Sequence, residues 1–159
     1  VDFSAEMLAQ GQSKFEADEP LEIIRADARQ LPIDDDVVDG IVCGFGLRNV
    51  PELPRAIAEC ARVLRPGGTL VVLDFFRPAS PVSRLLQETY NRFMVPLAGG
   101  AITGSRDAYR YLQQSIGAFM SADEFVTLLA GHGLEATHRT MFPPVASLIT
   151  ATRSGAAHD

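Results

Sequence analysis

The chain has 159 residues, of which 47% are apolar and 21% are charged, and its formal net charge at pH 7 is -6. This length and composition are typical of one globular domain with a hydrophobic core of its own, and the negative charge argues against a nucleic-acid partner. The longest apolar runs, such as residues 70–73, are far too short to span a bilayer.

The cysteines and histidines indicate neither a disulfide nor a metal centre. Cys43 and Cys60 fall in a predicted strand and a predicted helix, and we expect both to be reduced. No second cluster of Cys, His or carboxylate at ligand spacing accompanies the histidines, which are His132, His138 and His158. We therefore predict no metal site.

The first third of the chain alternates helix and strand signals. Ser4 can cap a first helix, which carries Met7, Leu8 and Phe15 on its apolar side. The short apolar stretch over residues 21–26 predicts a buried strand. After a polar loop, residues 37–43 predict the next strand.

The following segment predicts a helical crossover between parallel strands. Pro51 and Pro54 fit the first turn of a helix, which ends at the Arg-Pro-Gly-Gly sequence over 65–68. Residues 69–76 form an almost continuous apolar run, typical of a strand that is covered on both faces. Strand–helix–strand order with short connections predicts an α/β fold with a mostly parallel sheet.

The second half predicts three helices and then an antiparallel strand pair at the sheet edge. Ser121 and Glu124 have the spacing of a capping box at the start of the third helix. The predicted segments, in order, are helices over 81–93 and 107–119, a glycine-rich turn between them over 97–104, the capped helix, and strands over 134–142 and 145–152 joined through Pro143 and Pro144. We predict one domain over residues 1–152 and a frayed tail over 153–159.

The carboxyl ends of the predicted strands mark the place to look for a site, because open parallel sheets bind ligands there. These ends are Asp2, Asp27 with Ala28, residues 44–49, and residues 74–77. Asp2 either accepts hydrogen bonds from ribose hydroxyls or favours the start of the first helix. Asp27 either accepts a bond from an exocyclic amine, with the Ala28 amide donating to a ring nitrogen, or forms an Asx-turn.

Several stretches together resemble the quinone-biosynthesis C-methyltransferases, which methylate demethylmenaquinol and polyprenyl benzoquinols with S-adenosylmethionine. The stretches are VDFSAEML, RADARQLPIDDDVVDGIV, FGLRNV, ECARVLRPGGTLVVLDF and AYRYLQQSI. The similarity runs from Asp2 to about Ile116 and more loosely to Thr152. FGLRNV and the YRYLxxSI pattern are the narrowest of these motifs, whereas the others are common to many methyltransferases.

The resemblance implies a Rossmann-like class I methyltransferase sheet and a set of site residues. Asp2 would bind the cofactor ribose, Asp27 and Ala28 would hold the adenine, and Gly44 would lie against the cofactor. Arg48 and Asn49 would face the reacting centre, and the quinol pocket would be lined by Tyr109, Arg110 and Tyr111. For the tyrosines, packing in the core is the alternative interpretation.

The implied reaction gives Arg48 a chemical role. A ring carbon of the quinol attacks the sulfonium methyl after a ring hydroxyl loses its proton, and a guanidinium beside that oxygen would stabilise the developing charge. Asn49 would orient the hydroxyl or a bound water. The alternative for Arg48 is a salt bridge to Asp35 or Asp39.

The chain departs from the family pattern at two places. No glycine-rich strand-to-helix turn precedes Asp2, so we expect the N-terminal strand or strands of the fold to be missing, the chain to be the C-terminal portion of a longer enzyme, and its cofactor binding to be weak or absent. Residues 117–123 and 141–148 also differ from the family, which bears on the acceptor.

The leading hypothesis is S-adenosylmethionine-dependent C-methylation of a quinol. Two alternatives stay open: methylation of another lipophilic or phenolic acceptor, and a non-catalytic fragment that binds a partner through its exposed sheet edge. We expect a cytoplasmic protein. The sequence leaves open whether it contacts the inner face of the membrane and whether it forms a homodimer.

Overall fold

The structure, a computed structural model, describes residues 1–12, 14, 20–78, 111, 114–141 and 146–155. Its elements are the strands β1 (Val38–Gly44), β2 (Leu64–Asp74), β3 (Leu134–Thr140) and β4 (Ser147–Arg153) and the helices α1 (Ala5–Gln12), α2 (Leu53–Val63) and α3 (Ala122–Ala130). The four strands form one sheet in the order β1-β2-β4-β3. β1 is parallel to β2, whereas β4 is antiparallel to both of its neighbours. The predicted α/β architecture with an antiparallel C-terminal pair is confirmed.

The helix α2 makes the crossover between the parallel strands. Pro54 occupies its first turn, where a missing N–H removes no helical hydrogen bond. Its buried residues recur at helical spacing and are Leu53, Ala56, Ile57, Cys60 and Val63. Burial of this apolar stripe against the sheet holds the helix in place.

Residues 65–68 loop out near the start of β2, as the predicted turn requires. Val38 is paired with Leu64 and Gly40 with Thr69, so two steps along β1 correspond to five along β2. Gly67 has a φ of +78°, and a Cβ on Gly68 would lie 2.8 Å from the carbonyl oxygen of Arg65. Both positions therefore favour glycine.

The capping box at the start of α3 is confirmed. The Ser121 hydroxyl accepts a bond from the Glu124 amide at 3.3 Å, and the Glu124 carboxylate accepts one from the Ser121 amide at 2.6 Å. Glu124 also pairs with Arg77 at 2.8 Å, and the Arg77 amide donates to the carbonyl of Met120. These bonds fix the chain that leaves β2 against the start of α3.

The hydrophobic core lies between the sheet and the helices α2 and α3. Its largest fully buried apolar side chains include Ile57, Leu64, Leu70, Phe125, Leu129, Leu134 and Ile149. From Gly68 to Asp74, alternate residues of β2 are buried and the ones between them are half-buried. On β1, Val42 is 83% exposed. Within the described residues, one face of this sheet is thus covered completely and the other only in part.

The strand predicted over residues 21–26 is wrong in extent. Arg25 forms a single parallel bridge to Asp2, with bonds from the Asp2 amide to Ile24 and from the Ala26 amide to Asp2. A strand needs a hydrogen-bonded neighbour along its length. Among the described residues, residues 21–26 have such a neighbour only at Asp2.

At the other end of the chain, Arg153 was predicted to fray but ends β4 instead. Its guanidinium donates to the Asp36 carboxylate and to the carbonyl of Leu64. Residues 114–118 are helical, as expected for the end of the second predicted helix. The predictions over 81–93 and 97–104, and those for Phe15, Pro143 and Pro144, lie outside the described residues.

Candidate active site

Two strand ends lie side by side at one edge of the sheet. Gly44 is in register with Leu73, and the Phe45 amide donates to the Leu73 carbonyl over 2.8 Å. Asp74, the last residue of β2, therefore lies beside the segment that leaves β1. This is the edge at which parallel sheets bind ligands.

The chain turns sharply as it leaves β1. Phe45 has a φ of 58°, in the left-handed region, which costs a residue with a side chain about 1–3 kcal/mol. A 3-10 turn over Leu47–Asn49 follows, and the buried Leu47 anchors it in the core. The strained turn places Arg48 and Asn49 at the strand ends.

Arg48 and Asp74 form a buried ion pair. The Arg48 side chain is 9% exposed and that of Asp74 is 0% exposed, and Nη1 donates to Oδ1 over 2.6 Å. The Arg48 amide donates to Oδ2 over 3.2 Å. The guanidinium carbon also lies 5.4 Å from the centroid of the Phe75 ring, within the range of a cation–π contact.

The alternative partners considered for Arg48 are wrong. Asp35 pairs with Arg62 at 2.5 Å, and Asp39 pairs with Arg65 at 2.9 Å. Arg48 is therefore held at the sheet edge and not in the acidic loop before β1.

One buried N–H of Arg48 has no acceptor among the described residues. Nη1 donates to Asp74 and also to the carbonyl of Phe45 at 3.1 Å, whereas Nε is the buried side-chain atom left without a partner within the described part of the chain. An unsatisfied buried donor costs about 1–3 kcal/mol, and more when it is charged. The guanidinium thus keeps hydrogen-bonding capacity that its described neighbours do not use.

Asn49 and Tyr111 bring the two narrowest motifs together. The Tyr111 hydroxyl donates to Asn49 Oδ1 over 2.9 Å across 62 residues of sequence. The Asn49 amide in turn donates to the Phe45 carbonyl at 3.4 Å. Tyr111 is exposed, so core packing does not explain it. Tyr109 and Arg110 lie outside the described residues.

Asp2 supports the start of α1. Its Oδ1 accepts a bond from the Ser4 amide at 2.8 Å, and the Ser4 hydroxyl accepts one from the Met7 amide at 3.2 Å. The structural alternative for Asp2 is therefore present in the fold. The carboxylate is exposed, and its contact with a ribose stays a prediction.

Asp27 forms both an Asx-turn and an ion pair with Arg29. Its carboxylate accepts bonds from the Arg29 amide at 2.9 Å and from Arg29 Nη2 at 2.7 Å. These bonds lower the pKa of Asp27 to about 2. A bond from Asp27 to an adenine amine would therefore have to share the carboxylate with Arg29. The adenine roles of Asp27 and Ala28 stay predictions.

The Arg29 pair should make stability depend on pH at the acid end. The pKa of Asp27 is about 2 in the folded chain and about 3.9 in an unfolded one, so the pair stabilises the fold above pH 4 and this contribution is lost as pH falls through 2. We expect Asp27→Asn to lower the free energy of unfolding at pH 7, and this difference from the unmodified protein to shrink between pH 4 and pH 2.

Urea unfolding at several pH values would measure this difference, and Arg29→Ala should reproduce it. An NMR titration in which the Asp27 carboxyl of the folded protein titrates near 4 would contradict the prediction.

Gly44 and Cys43 end β1 beside these acids. A Cβ on Gly44 would meet no atom within 4 Å, so the space next to this residue is open. Burial raises the pKa of the Cys43 thiol, and the charges of Asp74 and Asp2 raise it further.

The sequence pointed to the end of β2 but did not identify Asp74 as the partner of Arg48, and it missed the ring of Phe75. A usable signal was present. A carboxylate at the end of a strand expected to be buried needs a cation, and Arg48 follows the adjacent parallel strand.

The comparisons with known proteins identify the family of this chain. The model of the ubiE/COQ5 methyltransferase family matches residues 1–151. Demethylmenaquinone methyltransferase of Staphylococcus aureus strain JH9 is 38% identical over 124 residues, which are 78% of this chain and 52% of that protein. The Staphylococcus carnosus protein of the same name is 38% identical over 133 residues, 82% of this chain and 55% of that one. The chain thus spans about half the length of these relatives.

Solved structures share the fold at low sequence identity. YcgJ of Bacillus subtilis superposes with a TM-score of 0.65 at 19% identity, covering 98% of this chain and 82% of that one. The putative methyltransferase bound to Trm112 of Haloferax volcanii gives 0.68 at 16% identity, covering 96% and 70%. These likenesses show a methyltransferase-type Rossmann-like fold. None of the described helices is long and apolar enough to cross a membrane, and the described side chains include no group of three candidate metal ligands.

Proposed function

The chain belongs to the ubiE/COQ5 methyltransferase family, and from this premise we propose that it serves S-adenosylmethionine-dependent methylation of a quinol ring carbon. The observation that carries the proposal is the buried Arg48 guanidinium at the sheet edge, whose Nε–H has no acceptor among the described residues. A phenolic oxygen is an acceptor of the right chemistry for a guanidinium.

The residues at this edge fit the adenosyl part of the cofactor. Asp2 and Asp27 lie on neighbouring segments joined by the bridge between Asp2 and Arg25, and open space adjoins Gly44. Asp2 would accept bonds from the ribose, and Asp27 with Ala28 would hold the adenine. When bound, S-adenosylmethionine supplies an electrophilic methyl group on a positively charged sulfur.

The chain's own residues act on the acceptor. Arg48 stabilises negative charge as it develops on the ring oxygen, and its burial strengthens that interaction because little water screens it. Asn49, held by bonds to Tyr111 and to the Phe45 carbonyl, orients the acceptor hydroxyl. A fixed position for both groups lowers the entropic cost of bringing carbon and methyl together.

The surroundings of the pair suit a flat, apolar ring. The rings of Phe45 and Phe75 lie 5.0 Å apart beside Arg48, and both Phe45 and Tyr111 are exposed. Demethylmenaquinol is the first acceptor to test, because the similar staphylococcal proteins are named for its quinone. A polyprenyl benzoquinol is the second. Either acceptor would bring the protein to a membrane surface.

A binding role without catalysis is the second candidate. Among the described residues β1 has a hydrogen-bonded neighbour on one side, and Val42 on this strand is 83% exposed. A free strand edge with apolar side chains can pair with a strand of another protein.

A methyl-transfer assay separates these functions. S-adenosylmethionine labelled in its methyl group would be incubated with demethylmenaquinol and, in parallel, with a polyprenyl benzoquinol and a simple lipophilic phenol. The 159-residue chain and the longest form that its gene encodes would be compared. We expect label in the demethylmenaquinol product of the longest form. Label in the phenol alone would change the acceptor, and no label in any product would favour the binding role.

A further inference from the structure

Asp74 is the most deeply buried charge that the proposed chemistry has not used. Its side chain is 0% exposed. Its carboxylate accepts bonds from Arg48 Nη1 at 2.6 Å, from the Arg48 amide at 3.2 Å and from the Phe75 amide at 2.8 Å. Burying a carboxylate is expensive unless such bonds compensate it.

Stability alone is a weak explanation for this ion pair. Replacing a buried ion pair by apolar residues of similar volume is often neutral or stabilising, so a pair of this kind calls for a second reason. Here two nitrogens of the Arg48 guanidinium differ in their hydrogen bonding. Nη1 donates to Asp74 and to the Phe45 carbonyl, whereas Nε is buried without an acceptor in the described structure.

We infer that Asp74 is a positioning residue for Arg48, an inference that depends on the function proposed above. Its carboxylate holds the guanidinium at Nη1 and binds the Arg48 backbone amide, so that the guanidinium keeps a fixed direction toward the acceptor oxygen. The bond at Nη1 restricts the guanidinium, and the bond to the Arg48 amide fixes the turn that carries this side chain.

The carboxylate also sets the charge of the site. When Asp74 is ionised, its charge cancels that of Arg48. The neutral pair favours a neutral phenol in the ground state, and it repels a phenolate less than an unpaired carboxylate would. Charge stabilisation is then realised as the ring hydroxyl loses its proton, the step that makes the ring carbon nucleophilic before it attacks the methyl group.

The test uses chemical rescue with methylguanidinium. The variants are Arg48→Ala, which leaves the Asp74 carboxylate facing a guanidinium-sized space, and the double variant Arg48→Ala/Asp74→Asn. Calorimetry at matched ionic strength should show methylguanidinium binding to Arg48→Ala and none to the double variant or the unmodified protein. In the longest encoded form, the same additive should raise the methyl-transfer rate of Arg48→Ala at least tenfold, and leave the double variant unchanged.

Each result decides a different point. Equal binding to the single and double variants overturns the inference that Asp74 holds the guanidinium. Binding without rescue, in a protein whose unmodified form methylates the quinol, overturns the positioning role. An unmodified protein without methyl transfer refutes the proposed function instead, while the calorimetry still tests whether Asp74 holds the guanidinium.

Arg48→Lys covers the case in which the alanine variant fails to fold. Lysine keeps a cation for Asp74 but lacks the rigid fork that presents a second N–H in a fixed direction. We expect its thermal unfolding midpoint to stay near that of the unmodified protein while kcat falls more than tenfold. A lysine variant with full kcat would overturn the inference.

Discussion

Replacing Arg48 by alanine should lower kcat for quinol methylation by about 10²–10³-fold, the loss typical of removing one donor to a developing oxyanion. The guanidinium is 9% exposed, and water that enters the space it leaves carries no positive charge to replace it. The same change leaves Asp74 buried without its cation, which should lower the free energy of unfolding by about 3–5 kcal/mol. Initial rates at saturating quinol and urea unfolding curves would measure the two effects.

Arg65→Ala is the matched control for this prediction. Arg65 pairs with Asp39 at 2.9 Å, and both side chains are exposed. Exposed pairs contribute about 0–1 kcal/mol, so this variant should keep its turnover and nearly all of its stability. Both variants are to be assayed well below their unfolding temperatures. An Arg48→Ala protein as active as Arg65→Ala would show that the guanidinium takes no part in the reaction.

The main elements of the fold were predictable because their signals are local. The capping box at Ser121 and Glu124 requires only neighbouring residues and is confirmed. The Arg-Pro-Gly-Gly sequence, predicted as a turn before the strand, lies within β2 and makes its pairing with β1 irregular. The strand predicted over 21–26 failed for the opposite reason. Its apolar run satisfies the local pattern, but a strand also needs a hydrogen-bonded neighbour, and the described residues supply one only at Asp2.

In the candidate site, too, some features were predictable from the sequence and others were not. Strand order predicted that the ends of β1 and β2 would meet, and the register of Gly44 with Leu73 confirms this. Spacing along the chain alone left several aspartates as partners for Arg48, although the position of Asp74 at the end of a strand expected to be buried favoured it. Burial decides among them: Asp74 is fully buried, whereas Asp35 and Asp39 are exposed and pair with other arginines.

Asp27 shows a limit of reasoning from strand ends. Its position suits a ligand, yet Arg29, two residues later, bonds to its carboxylate through side chain and backbone. The spacing of Asp27 and Arg29 was visible in the sequence. What the sequence did not contain was the conformation of the turn, which brings both donors of Arg29 to one carboxylate.

Phe125→Ala should cause the largest loss of stability among single core substitutions on α3. Phe125 is 0% exposed, and its ring lies 5.3 Å from that of Phe76 and 6.3 Å from that of Phe119. Removing a buried phenylalanine ring costs about 3–5 kcal/mol, through lost burial and the cavity left behind. This is a large part of the 5–15 kcal/mol that is typical for a domain. Urea unfolding would measure the change.

The Phe125→Ala substitution should also affect the candidate site. Phe75 and Phe76 follow β2 directly, and the first contacts the site while the second packs in the core. Phe75 contacts Phe45 and Arg48, while Phe76 packs into the cluster with Phe125. Loosening Phe76 therefore loosens the backbone that holds Phe75 and the adjacent Asp74, and kcat should fall even under conditions in which the variant stays folded. Phe3→Ala is the control: the Phe3 side chain is 69% exposed, so the same change should cost less than about 0.5 kcal/mol. Equal losses in the two variants would show that the aromatic cluster does not support this end of the sheet.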